Sequence, residues 1–308
     1  IHLTKAVPQG LQCPGSRLGH SVFLRRADGG LGLQQLAASL LQLVLGGVQL
    51  SIHRSGQLRR QGIRAAEFFT IGKRVSVSDL RSALPKLNEF QPDVIVGVGG
   101  DNAMSAAKAL LALYGDPDLD LAAAAADPAR IPACAKAKLV LIATNFSSGS
   151  QNSPFAILKG EEGQAIVLKS IHLLPEISVT DADFTAGLTA EQVRTCGLKS
   201  LSHAVRAYLD PDCTELTAGM LTEAIAAVLK YTERAMNGSP SAREKLHNAA
   251  ALAGASYGNV VDAITPDLPY FPTGEEITVS DNDVRCAELA ERLGFAGCRD
   301  FFSACQSV

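Results

Sequence analysis

The chain contains no tryptophan, and aromatic residues make up only 5% of its 308 positions. Proteins that stack single-stranded nucleic acid need such rings, so that function has little to stand on. An excess of positive charge is also lacking: 28 Lys and Arg face 31 Asp and Glu, a net charge of -3. That balance gives no general attraction for nucleic acid or an anionic membrane surface. None of the seven cysteines forms a C-x-x-C pair, and their odd count reads as reduced, mostly buried thiols. No apolar run is long enough to span a bilayer, since the stretch 36–52 is broken by Gln42, Gly46, Gly47 and Gln49. A leader peptide is not legible in Ile1-His2-Leu3-Thr4-Lys5, which lacks a basic start and a compact apolar core. The expectation is a soluble, cytoplasmic protein without nucleic-acid or membrane partners.

What is present is a globular composition, 47% hydrophobic and 19% charged, with enough chain for one large domain or two ordinary ones. The organising stretch is 92–111. Val94 to Val98 is a short apolar, β-branched run, the pattern of a strand buried on both faces. Gly99-Gly100-Asp101-Asn102 is a tight turn, and Ala103 to Leu111 is rich in helix formers. A strand passing through glycines into a helix N-terminus offers backbone N–H groups and a positive dipole end to a phosphate. The other reading is an ordinary strand-to-helix turn.

Upstream, Ser21 to Leu24 reads as a strand, 33–45 as a helix ended by Gly46-Gly47, and 48–52 and 65–70 as strands. Ser76 and Asp79 mark the start of an amphipathic helix through Asn88. Downstream, 116–130 reads as a loop, and Lys138 to Ala143 as another buried strand. That strand feeds Thr144-Asn145-Phe146-Ser147-Ser148-Gly149-Ser150, whose hydroxyls could meet phosphate or ribose oxygens, or simply water. Residues 155–158 and 165–168 flank Gly160-Glu161-Glu162-Gly163 as a hairpin. Alternating strands and helices imply a Rossmann-like parallel sheet with ligands beyond the carboxyl ends of the strands. From 188 onward only helical periodicity remains, at about 193–209, 216–235 and 243–257. The expected organisation is an α/β nucleotide-binding domain, 1–187, then a shortened all-helical domain, 188–308, with the site in the cleft between them.

The residues quoted so far, with four later segments, resemble the iron-containing (group III) alcohol dehydrogenases of the dehydroquinate synthase-like superfamily. Asp93 through Lys108 echoes that family's glycine-rich phosphate segment, and Thr144 through Phe155 its T-T-A-G-T-G-S-E-x-T-P-F loop. Leu173-Leu174-Pro175 with Asp181 to Thr185, Gly197 to Tyr208, and His247 to Asn259 follow in family order. The resemblance implies an NAD(P)-dependent alcohol dehydrogenase, or aldehyde or ketone reductase, acting on a small carbonyl or alcohol substrate as a homodimer. It implies cofactor contacts from Gly99, Gly100, Asp101, Asn102, Thr144, Asn145 and Ser148.

Departures from the pattern shape the functional expectation. The family holds its metal with an Asp and three His. Here Lys199 stands at the Asp position, His203 is retained, Asp262 aligns with the second His, and Thr273 with the third. An ammonium neither ligates nor tolerates a divalent cation, so the family's iron or zinc is expected to be absent; with a metal, His203 and Asp262 would be its ligands. Lys199 could instead polarise a carbonyl oxygen, with His203 or Asp262 handling the proton. The competing reading makes Lys199 a lysine paired with an acid in a dead site, and His203 a structural histidine. In the phosphate turn, Asp101 and Asn102 replace Gly and Ser, Ser105 replaces Asp, and an unneutralised carboxylate at Asp101 would repel pyrophosphate. After the second strand His53-Arg54 replaces the acid used on the adenosine ribose, which favours NADP over NAD unless Arg54 is simply a surface residue. The alternative function is a catalytically silent homologue serving as a binding or scaffolding subunit.

Overall fold

The computed structural model describes residues 20–26, 63–69, 75–260 and 284–308. The expected helix at 33–45 and strand at 48–52 lie outside these residues, as do Arg54, Asp262 and Thr273.

Strands β1 (His20–Arg26), β2 (Ile63–Phe69), β3 (Val94–Gly99), β4 (Lys138–Ala143) and β7 (Ile177–Thr180) form one sheet in the order β2-β1-β3-β4-β7. Strands β3, β4 and β7 are parallel, with Val94 opposite Lys138 and Gly99 opposite Ala143. Strand β1 runs antiparallel to both β2 and β3. The sheet is therefore mixed. The expected parallel arrangement holds for β3, β4 and β7, while β1 joins antiparallel, since a β-branched run specifies extended backbone and burial but not strand direction. Between β4 and β7, β5 (Phe155–Lys159) and β6 (Ala165–Lys169) pair as the expected hairpin, a separate two-stranded sheet.

Helix α1 (Val77–Phe90) starts as its sequence demands: Ser76 accepts from the Asp79 N–H at 3.1 Å, and Asp79 accepts from the Ser76 N–H at 3.0 Å. Helix α2 (Asp101–Gly115) follows β3 directly, and every residue from Ala103 to Tyr114 is buried. The stretch expected to be a loop contains a short helix, α3 (Leu121–Ala126), capped by Asp120. Its alanines are good helix formers that the Pro and Asp residues on either side had masked.

Helices α4 (Ala190–Leu209), α5 (Glu215–Met236), α6 (Pro240–Val260), α7 (Val284–Arg292) and α8 (Cys298–Gln306) complete the described chain. Thr189 and Gln192 form a second reciprocal cap at the start of α4, at 3.2 and 2.9 Å. Two apolar cores result. One lies among α1, α2, α3, β4 and the β5–β6 hairpin, the other among α4 to α8. Phe146 and Phe155, at the two ends of the hydroxyl-rich segment, belong to the helical core although they leave from the sheet. No helix among the described residues is long and apolar enough to cross a membrane.

Candidate functional site

Parallel strands β3 and β4 end side by side, so the turns that leave them must lie together. The Thr144 N–H donates to the Gly99 carbonyl at 3.0 Å, carrying the ladder one step past the strands. Gly100 caps α2, and a Cβ there would overlap the side-chain amide of Asn145, which would have to move aside. Asn145 accepts from the Ser147 N–H at 3.3 Å and its hydroxyl at 3.0 Å, folding the chain back over the start of α2.

Asp101 lies at the centre of the assembly. Its carboxylate accepts from Ser148 Oγ, from Ser147 Oγ at 3.2 Å, and from the Lys199 ammonium of α4. Both partners of the ion pair keep some access to solvent, 30% for Lys199 and 29% for Asp101. Burial alone would raise the Asp101 pKa; the Lys199 charge and the Lys199 and Ser148 hydrogen bonds outweigh it and hold the group at about 2.

Cys196, Lys199 and His203 fall at helical spacing along one face of α4. The Cys196 thiol is pushed up to about 11, by burial first and then by Asp101, so it is not a ready nucleophile. His203 stacks on Tyr257 of α6, ring centroids 5.1 Å apart, and its Nδ1 is buried without a hydrogen-bond partner. Burial, reinforced by Lys199, lowers its pKa to about 4, so the imidazole is neutral at physiological pH. A second buried imidazole, His247, meets the Phe146 ring edge-on at 6.4 Å. Neither of its nitrogens reaches hydrogen-bond geometry. The Asp181 and Asn145 backbones favour its protonation, but burial dominates and leaves it at about 4.

Behind these residues α2 presents a polar row to the segment that follows β4. Asp101 takes Ser147 and Ser148, Ser105 accepts from the Ile157 N–H at 3.0 Å, and Lys108 donates to three carbonyls. Lys108 is fully buried, and its ammonium reaches the carbonyls of Ser150 at 2.7 Å, Ser153 at 2.6 Å and Phe155 at 2.8 Å. Burial pulls its pKa down to about 7 against the raising effect of Asp101, yet three carbonyl acceptors suit the ammonium form. From the other side α6 presses on the same segment. Gly149 has a left-handed φ of 63°, a Cβ on it would overlap the Ala250 carbonyl, and a Cβ on Gly254 would overlap the Gly149 carbonyl.

Of the sequence-derived candidates, Gly100, Asp101, Asn145, Ser148 and Lys199 converge directly; His203 lies one helical turn beyond, close enough for its charge to act on Asp101. Gly99 and Thr144 frame the strand ends. Asn102 turns away, its side chain accepting from the Val75 N–H ahead of α1. Lys108, Ser147 and His247 were not singled out. In Ala103 to Leu113 Lys108 and Ser105 are the sole polar residues, at three-residue spacing, and that signal was available. Of the four positions in the family's metal pattern, Lys199 and His203 lie among the described residues and Asp262 and Thr273 do not. Among the described residues no group of three or more His, Cys, Asp or Glu could hold a metal ion.

A strand-glycine-helix turn beneath an all-helical part, with hydroxyls and charges meeting between them, is the build of a two-part α/β and α protein. The model of the "Iron-containing alcohol dehydrogenase" family matches residues 46–182, and that of the "Fe-containing alcohol dehydrogenase family, C-terminal" matches 193–295. The chain belongs to the iron-containing alcohol dehydrogenase family. It is 33% identical over 193 residues to aldehyde-alcohol dehydrogenase 2 of Entamoeba histolytica, covering 60% of this chain and 22% of that protein. It is 24% identical over 245 residues to an NADPH-dependent butanol dehydrogenase of Clostridium saccharobutylicum, covering 77% of this chain and 63% of that one. The chain thus spans less than two thirds of either relative. An iron-containing alcohol dehydrogenase from Thermococcus thioreducens shares the fold, with a TM-score of 0.71 at 23% identity over 89% of this chain and 76% of that chain.

Proposed function

We propose that the chain is an NAD(P)-dependent oxidoreductase of small carbonyl or alcohol substrates that works without a bound metal. The site would lie where an α/β unit, 1–187, meets a helical unit, 188–308. The observation that carries this reading is Lys199: at the position of a metal-holding carboxylate in the family pattern, a partly accessible ammonium is held beside the phosphate turn. A fixed cation can polarise a carbonyl oxygen as a metal would, because the charge that develops on oxygen meets a donor already in place. A nicotinamide bound along the turn would supply the hydride. In reduction the Lys199 ammonium polarises the carbonyl oxygen, and His203 or Asp262 delivers the proton to it. In alcohol oxidation the same group takes that proton back, and His203 rests in the neutral form that can accept it. Gly99, Gly100, Asn145 and Ser148 shape the nucleotide seat in this reading.

The second reading, a silent binding subunit, draws on the carboxylate that Asp101 brings to the phosphate turn. One experiment separates the two. The purified chain is titrated with NADPH and NADH while nicotinamide fluorescence is followed, and its metal content is measured in the same sample. The oxidoreductase reading expects saturable binding, tighter for NADPH, and reduction of short aldehydes. Binding of neither nucleotide overturns it in favour of the silent subunit, and stoichiometric iron or zinc overturns its metal-free chemistry.

A further inference from the structure

Two charged departures from the family pattern, Asp101 in the phosphate turn and Lys199 at the metal position, are 98 residues apart and meet as one ion pair. Asp101 is the first residue of α2, so its carboxylate sits where the amides and dipole of the helix start favour an anion. It also takes the hydroxyls of Ser147 and Ser148, donors that a pyrophosphate in this turn would want, and is held there by the Lys199 ammonium. We propose that the Asp101–Lys199 pair is a clasp that occupies the phosphate seat from within, and that a phosphate-bearing ligand binds by displacing the Asp101 carboxylate from Lys199 and Ser148.

The inference takes its ligand class from the oxidoreductase reading above but makes a separate demand: removing the carboxylate must help binding. An anion that competes for the same donors weakens a dianionic ligand twice, by holding the donors and by repelling the newcomer. The clasp also bridges the strand-end turns and α4, so displacing it releases a tie between them.

The test uses the full chain, Asp101→Asn and Asp101→Ser, with thermal melts to confirm that each is folded. NADPH affinity is read from nicotinamide fluorescence, and inorganic pyrophosphate is titrated as competitor. Both variants should bind NADPH roughly tenfold tighter or more, and pyrophosphate should compete more strongly against them than against the parent. Lys199→Met in the Asp101→Ser background should keep that gain, because the seat is open once the carboxylate is gone. Folded variants that bind no tighter than the parent overturn the clasp, even where the parent itself binds NADPH and the oxidoreductase reading stands. A parent that binds nothing while Asp101→Ser binds overturns the oxidoreductase reading and supports the clasp. Binding by none of the proteins overturns both.

Discussion

Lys108 shows how a single buried charge can be structural. Its ammonium serves three carbonyls, so Lys108→Met takes their donor away in the core. At about 1–3 kcal/mol for an unsatisfied buried group, the variant should lose roughly 3 kcal/mol or more in urea denaturation. Asp101 contributes differently, through its proton. Its folded pKa of about 2 lies below the ordinary 3.8, so the folded state favours the charged form. That stability is fully present above pH ~4 and is lost as pH falls through about 2; the shift corresponds to roughly 2 kcal/mol. Asp101→Asn should therefore lose stability at neutral pH while losing little further in strong acid. Equal acid limbs for the two proteins would count against the ion pair.

Among the elements, α2 and α6 act as the two jaws on the segment 147–157. The α2 jaw is polar and works through side chains, with Asp101, Ser105 and Lys108 stepping along one face. The α6 jaw closes on backbone where Gly149 and Gly254 touch, with the Tyr257 ring against Phe155 beyond it. Gly254→Ala should separate the segment from α6, lower the melting temperature by several degrees, and weaken any ligand that uses Ser147 and Ser148. Other cations use the Lys108 device elsewhere. Arg285 of α7 donates to the carbonyls of Tyr208 at 3.0 Å and Cys213 at 2.9 Å past the end of α4, and Arg243 of α6 donates to Leu188 at 3.0 Å. Basic side chains on helices thus satisfy carbonyls at helix ends and in the turns that join helices.

For the molecule as a whole, acid should be the main stress. His203 and His247 both have folded pKa values of about 4 against an ordinary 6.5, because burial keeps them neutral. As pH falls below about 6.5 the unfolded chain takes up protons that the folded chain refuses, so stability drops by about 1.4 kcal/mol per pH unit for each imidazole. An unfolding midpoint that declines between pH 6.5 and 4, and declines less in His247→Asn, would bear this out; a flat profile would not. Much of this architecture could be read in advance. The strand-glycine-helix stretch, the caps at Ser76 and Thr189, the hairpin and the three long helices each rest on local pattern, which short-range physics dictates. The antiparallel β1 and the pairing of Asp101 with Lys199 rest on contacts between distant segments, and nothing local to either residue announces its partner. Where main-chain atoms of Gly149 and Gly254 abut, there is no side chain to trim or enlarge by degrees. Sequence change at that seam can only keep it shut or force it apart, so any adaptation beside it has to proceed through residues elsewhere.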